Sequence, residues 1–138
     1  DSLGSRGLGD VYKRQLYGNA VIVNTDYAKN NSDMVKKFLV AIGAGWRDAI
    51  KDPKAAAAAL VKRNPAADAA LEQRRLQLAI DANVLTDYVK ANGMGGVDSS
   101  RFAAAIEQLS ETYEYKAAPN AALYFTDEYL PASGISLN

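Results

Sequence analysis

The sequence predicts a mainly α-helical chain with one β-strand. Three features point to it. Apolar residues recur at helical spacing in successive stretches from Met34 to Tyr113. Only one run, around Val21, Ile22 and Val23, is continuous, apolar and β-rich. Between the periodic stretches stand residues that start and stop helices, such as Asp52 before Pro53 and Asn64 before Pro65.

The first fifteen residues, DSLGSRGLGDVYKRQ, show neither a helical nor a strand period. Residues Ser5 to Gln15 match one translated frame of a common transposase-type sequencing adapter, so residues 1–15 are expected to be foreign to the fold. Gly7 and Gly9 are accordingly not a phosphate loop; a dinucleotide site also needs a preceding strand, a third glycine and a following helix.

From Leu16 the run LYGNAVIVN reads as a buried strand closed by a polar Asn-Thr-Asp. Ser32 is the best N-cap for a helix from about Asp33 to Ile50, with Met34, Val35, Phe38, Leu39, Ile42, Trp46, Ala49 and Ile50 on its apolar stripe. Asp52 caps a short second helix, with Pro53 at its first position and alanines at 55–59, stopped by Asn64-Pro65. A third helix is expected to begin near Ala66 to Asp68 and to run through LEQRRLQLAIDAN, with Leu71, Leu76, Leu78, Ala79 and Ile80 facing inward. Thr86 caps one or two more turns before a flexible Gly93-Met94-Gly95-Gly96 connector. Asp98 caps a further helix with Phe102, Ile106, Leu109 and Tyr113 on one stripe. The remainder is a loop with at most one turn at Asp127 to Tyr129, and residues 132–138 form a polar tail.

A lone strand leaves its backbone hydrogen bonds unmade, at about 1–3 kcal/mol for each buried group. Residues 16–131 are therefore expected to be the C-terminal part of a larger lobe whose sheet is built mainly upstream.

Composition excludes several functions. The 138 residues carry 16 Lys and Arg against 16 Asp and Glu, and setting residues 1–15 aside leaves 13 against 14, so no charge excess favours nucleic acid. There is no cysteine and no histidine, which removes disulfides, thiolate nucleophiles, the common zinc sites and the usual general base at neutral pH. No apolar run approaches the roughly 20 residues that a bilayer span needs.

Four segments taken in order carry a resemblance: YGNAVIVN; TDYAKNNSDMVKKFLVAIGAGWRDAIKDPKAAAAALVKRNP; LEQRRLQLAIDANVLTDYVKANGMGGVDSSRFAAAIEQL; and YFTDEYLP. Together they resemble the C-terminal portion of the ABC-importer solute-binding proteins of the thiamine-pyrimidine, riboflavin and alkanesulfonate group. WRDAIKDP leading into the alanine-rich helix, and VKANGMGGVD, are the most telling pieces. The resemblance implies an α/β two-lobed periplasmic-binding-protein fold of which this chain supplies the return to lobe 1. It implies a bacterial monomer, periplasmic or lipid-anchored outside the cytoplasmic membrane. Such a protein captures a small heteroaromatic or sulfonate-type solute between its lobes, without cofactor or metal, and delivers it to an ABC permease and its ATPase. No bond is broken. A pyrimidine-synthase-like enzyme of the same fold and a free-standing helical interaction module are the alternatives.

The resemblance places Tyr17, Gly18 and Asn19 near the interlobe crossover, where an aromatic ring and an amide meet a ring-containing solute. Their other reading is a backbone device leading into the strand. Trp46 is a stacking platform by type, and a core residue by its place on the Phe38, Leu39 and Ile42 stripe. Glu72 and Arg75 read as a solvated helix face. Tyr113 belongs to a helix face, and Tyr115, Tyr124 and Tyr129 are expected to pin the final loop.

Overall fold

The structure, a computed structural model, describes residues 18–113, 115 and 119–137. The described residues are mainly helical. They fall into two compact units, one of residues 18–24 with 97–126 and one of residues 25–96 with 127–137, so the chain passes between units three times.

The larger unit begins with two helices, α1 (Thr25–Asn30) and α2 (Ser32–Lys51), where the sequence predicts one helix capped by Ser32. Ser32 is the first residue of α2 rather than its cap. Asn31 occupies the cap position, and its side-chain amide donates back to the Tyr27 carbonyl (3.0 Å), closing α1 instead of capping α2. Asp52 caps α3 (Pro53–Arg63) by accepting from the Ala55 amide at 2.9 Å, with Pro53 where its missing N–H costs nothing. Asp68 caps α4 (Ala69–Ala79) through the Leu71 amide at 2.7 Å. From Ile80 to Val84 the helix widens into a π turn, in which the Leu85 amide reaches the Ile80 carbonyl at 2.8 Å. Thr86 then caps α5 (Asp87–Asn92) through the Val89 amide.

Ala28, Val35, Ala57, Ile80 and Ile135 are the buried apolar residues of this unit. Ile135 and its neighbours change two sequence expectations. Gly93-Met94-Gly95-Gly96 is not a free connector, because Met94 and Ile135 exchange both backbone hydrogen bonds, at 2.8 and 2.9 Å. Residues 133–136 are not simply a polar tail. Ile135 is 5% exposed and packs against Gly43, where an added Cβ would overlap the isoleucine side chain. Arg47 in α2 ties the same segment down by donating to the Ser136 carbonyl at 2.8 Å. Gly93, at φ 76°, is required twice over: its backbone is left-handed, and a Cβ there would fall 2.4 Å from the Ser133 carbonyl oxygen.

The smaller unit contains α6 (Ser99–Thr112), capped by Asp98 through the Arg101 amide at 2.8 Å, and a short 3-10 turn at Ala121–Leu123. Ala105 is buried; Phe102, Ile106 and Leu109 are half-buried on the expected stripe, and Phe102 meets Phe125 with ring centroids 6.2 Å apart. Tyr113 leaves the stripe: it is the cap residue beyond the helix and 57% exposed.

The expected strand does not form. Among the described residues the only ladder contact is the Met94–Ile135 bridge, and Val21, Ile22 and Val23 have no strand partner. Ile22 is 93% exposed. A β-rich apolar run becomes a strand only when another strand completes its hydrogen bonds, and no second strand lies among the described residues.

Candidate functional site

An open groove of about 510 Å³ lies where α2, α3 and α4 meet inside the larger unit. Its shape follows from two turns. Asp52-Pro53 ends α2 and starts α3 within a single residue. Asn64 to Asp68 then reverses the chain into α4, the Ala67 amide closing on the Asn64 carbonyl. Three short-linked helices face one another, and at the facing positions Gly45, Ala49, Ala56 and Ala57 have too little side chain to fill the space.

The groove is floored by Ile42, Trp46, Leu60 and Leu76. Trp46 is half-buried rather than enclosed in a core, so part of its indole faces the open space. The polar side of the groove is a single ion pair on α4: Arg75 Nη1 donates to Glu72 Oε1 at 2.7 Å. Glu72 is the more sheltered partner, its side chain 20% exposed against 65% for Arg75. Taken together, the site offers an aromatic plane, aliphatic walls and one edge presenting a carboxylate acceptor beside guanidinium donors.

By spacing Trp46 belongs to a core stripe and Glu72 and Arg75 to a solvated face, with a stacking role for the indole and reach toward a ligand for the charged pair as the other readings. The structure brings all three to one concavity. The signal that marks it in the sequence is the row of small residues, Gly45 and Ala49 on one helix and Ala56 and Ala57 on the next, which read equally well as helix propensity. Glu72 and Leu76 lie four residues apart and so share the inward side of α4, while Leu71 and Leu78 lie seven apart on another side and are 37% and 69% exposed.

Gly18 and Asn19 belong to the smaller unit and are exposed, and a Cβ added at Gly18 would touch nothing within 4 Å. Tyr17 and the segment 1–15 lie outside the described residues. Tyr115 and Tyr124 are 46% and 69% exposed; the Tyr115 ring meets that of Tyr113 with centroids 6.1 Å apart, and Phe125 makes the ring contact to Phe102 of α6.

Among the described residues two titratable groups depart from their ordinary values, both outside the groove. The hydroxyl of Ser100 and the amide of Arg101 donate to Asp98 and hold its carboxyl below the ordinary 3.8. A hydrogen bond with the Glu128 carboxylate pushes the Tyr129 hydroxyl up from 10.0. Among the described residues no group of acidic side chains is placed to hold a metal ion, and no helix is long and apolar enough to cross a membrane.

Comparison with known proteins gives one similarity. Residues 8–56 match the family model described as NMT1/THI5 like, a little over a third of the chain that takes in α1, α2 and the start of α3. The match begins within the segment 1–15 set apart on its sequence. No curated protein and no solved structure matches the chain.

Proposed function

We propose that the chain is part of a solute-binding protein, which captures a small molecule outside the cytoplasmic membrane and hands it to an ABC permease driven by its ATPase. The NMT1/THI5-like match over residues 8–56 is the observation that carries this reading. The mainly helical fold supports it, since helices in this order are what the return of such a chain to its first lobe would contribute. On this reading the rest of a two-lobed α/β fold supplies the sheet that Val21 to Val23 join, and lobe closure is stabilised by contacts that the solute makes to both lobes at once. The work is selective binding of a heteroaromatic or sulfonate-type solute, with no bond broken.

The test is to recover the full gene with its neighbours and to titrate the complete purified protein with riboflavin, a thiamine pyrimidine, an alkanesulfonate and nitrate by calorimetry. We expect an export or lipoprotein signal, an adjacent permease gene and one-to-one binding of one of these solutes. A gene with no export signal, no first lobe and no permease beside it overturns the proposal.

A further inference from the structure

We propose that residues 131–136 form a latch that opens while α2 to α5 stay folded, and that the socket it vacates accepts the same segment of a second copy of the chain, giving dimers by exchange.

The socket is built without the latch. Gly43 lies within α2, with Arg47 one turn further on, and Gly93 and Met94 follow directly on α5. These helices close their own hydrogen bonds, ending with the Gly93 amide on the Val89 carbonyl, so the surface around Gly43 has its shape whether or not residue 135 covers it. The latch reaches that surface through a detour: residues 97–126 belong to the smaller unit, and the chain returns to the larger unit only from Asp127.

What holds the latch is small and local. Of residues 131–136 only Ile135 is buried, while Pro131, Ala132, Ser133 and Ser136 are exposed. Its attachments are the two main-chain hydrogen bonds with Met94, the Arg47 guanidinium on the Ser136 carbonyl at 2.8 Å, and the Ile135 side chain over Gly43. A segment with few buried apolar contacts and exposed backbone hydrogen bonds opens well below the free energy of global unfolding. The Gly134 amide closes a turn on the Pro131 carbonyl at 2.8 Å, inside the segment, so the latch moves as one piece.

The same contacts specify the occupant. Gly134 has φ 67°, and a Cβ there would run into the Asn92 carbonyl oxygen, so the socket takes a glycine followed by a side chain that fills the space over Gly43. A second copy supplies that Gly-Ile-Ser sequence and makes each contact unchanged. The closed monomer is favoured only by the tether through residues 97–126, which corresponds to an effective concentration of about 1 mM or less.

The test pairs two full-length variants. Gly43→Leu fills the socket, on a helix that leucine favours over glycine, and leaves its own latch undocked. Ile135→Ser keeps the socket open and removes the side chain that fits it. Each alone should sediment as a monomer, and an equimolar mixture at roughly 1 mM should give a one-to-one dimer. Arg47→Met added to the Ile135→Ser copy should weaken that dimer several-fold with circular dichroism unchanged. The parent chain refolded at the same concentration should yield a dimer that Gly43→Leu abolishes. In the parent monomer the Met94 and Ile135 amides should be equally protected from hydrogen exchange, and about tenfold less protected than those of α2. No dimer in the mixture overturns the inference, and a dimer of Gly43→Leu alone does so as well, since association then uses another surface. Loss of helix in Ile135→Ser, or Met94 and Ile135 amides as protected as those of α2, also overturns it, because the segment is then part of the core and does not open on its own.

Discussion

Asp98 shows how much of this chain can be read one residue at a time. A short acidic side chain ahead of an apolar period marks a helix start because its carboxylate accepts from amides that have no partner in the first turn. Asp52 and Asp68 do the same and Thr86 does so through its hydroxyl; Asp52, Thr86 and Asp98 are legible as caps in the sequence, whereas Asp68 is legible only as part of the stretch where a helix begins. Ser32 has the same chemistry and is not used, because Asn31 already joins two consecutive helices there. Asp98 also carries a pH dependence. Its pKa is lowered in the folded chain, so the stabilisation is fully present above the ordinary 3.8 and is lost as pH falls through the lowered value. The Arg101 amide resonance should therefore titrate with a midpoint below 3.8 in the parent chain and not titrate in Asp98→Asn, where asparagine caps without charge. A midpoint at or above 3.8 would contradict the geometry. The groove residues were harder to read: Trp46, Glu72 and Arg75 each have an ordinary helical role, and only the packing of three helices gives them a common one.

At the scale of the element, helices are legible and their partners are not. The period of α2, the proline-started α3 and the stripe on α6 follow from local sequence, since helix hydrogen bonds close within the element. The run Val21 to Val23 has equally clear β chemistry yet no strand, because a strand's bonds depend on a partner that its own sequence does not record. The Met94–Ile135 bridge is the converse case. Glycines at 93 and 95 signal flexibility when read locally, but what they allow is close approach of a segment forty residues away. Ile135→Ala should cost about 2–4 kcal/mol, toward the lower end if neighbouring side chains move into the space, because the side chain is buried against α2. Urea unfolding of the larger unit measures it; a change under about 0.5 kcal/mol would mean that the segment contributes little to stability.

At the scale of the whole molecule, the described residues bury few large side chains. The buried apolar residues among those described are Ala28, Val35, Ala57, Ile80, Ala105 and Ile135, of which three are alanines, while Ile22, Leu78 and Leu123 are 93%, 69% and 77% exposed. Folding stability grows with apolar area removed from water, so this distribution favours a marginal transition. A thermal melt of the chain should be broad and accompanied by binding of a hydrophobic-surface dye already below the midpoint. A sharp melt without dye signal would support a self-sufficient helical module instead. The Ile135 contact also sets an order of events during synthesis. Arg47 and Ser136 are 89 positions apart, so α2 leaves the ribosome long before the strand of chain that covers Gly43 exists. Until translation passes residue 136, the surface around Gly43 stays open to chaperones and to misassociation, and the larger unit is completed only once that segment has emerged.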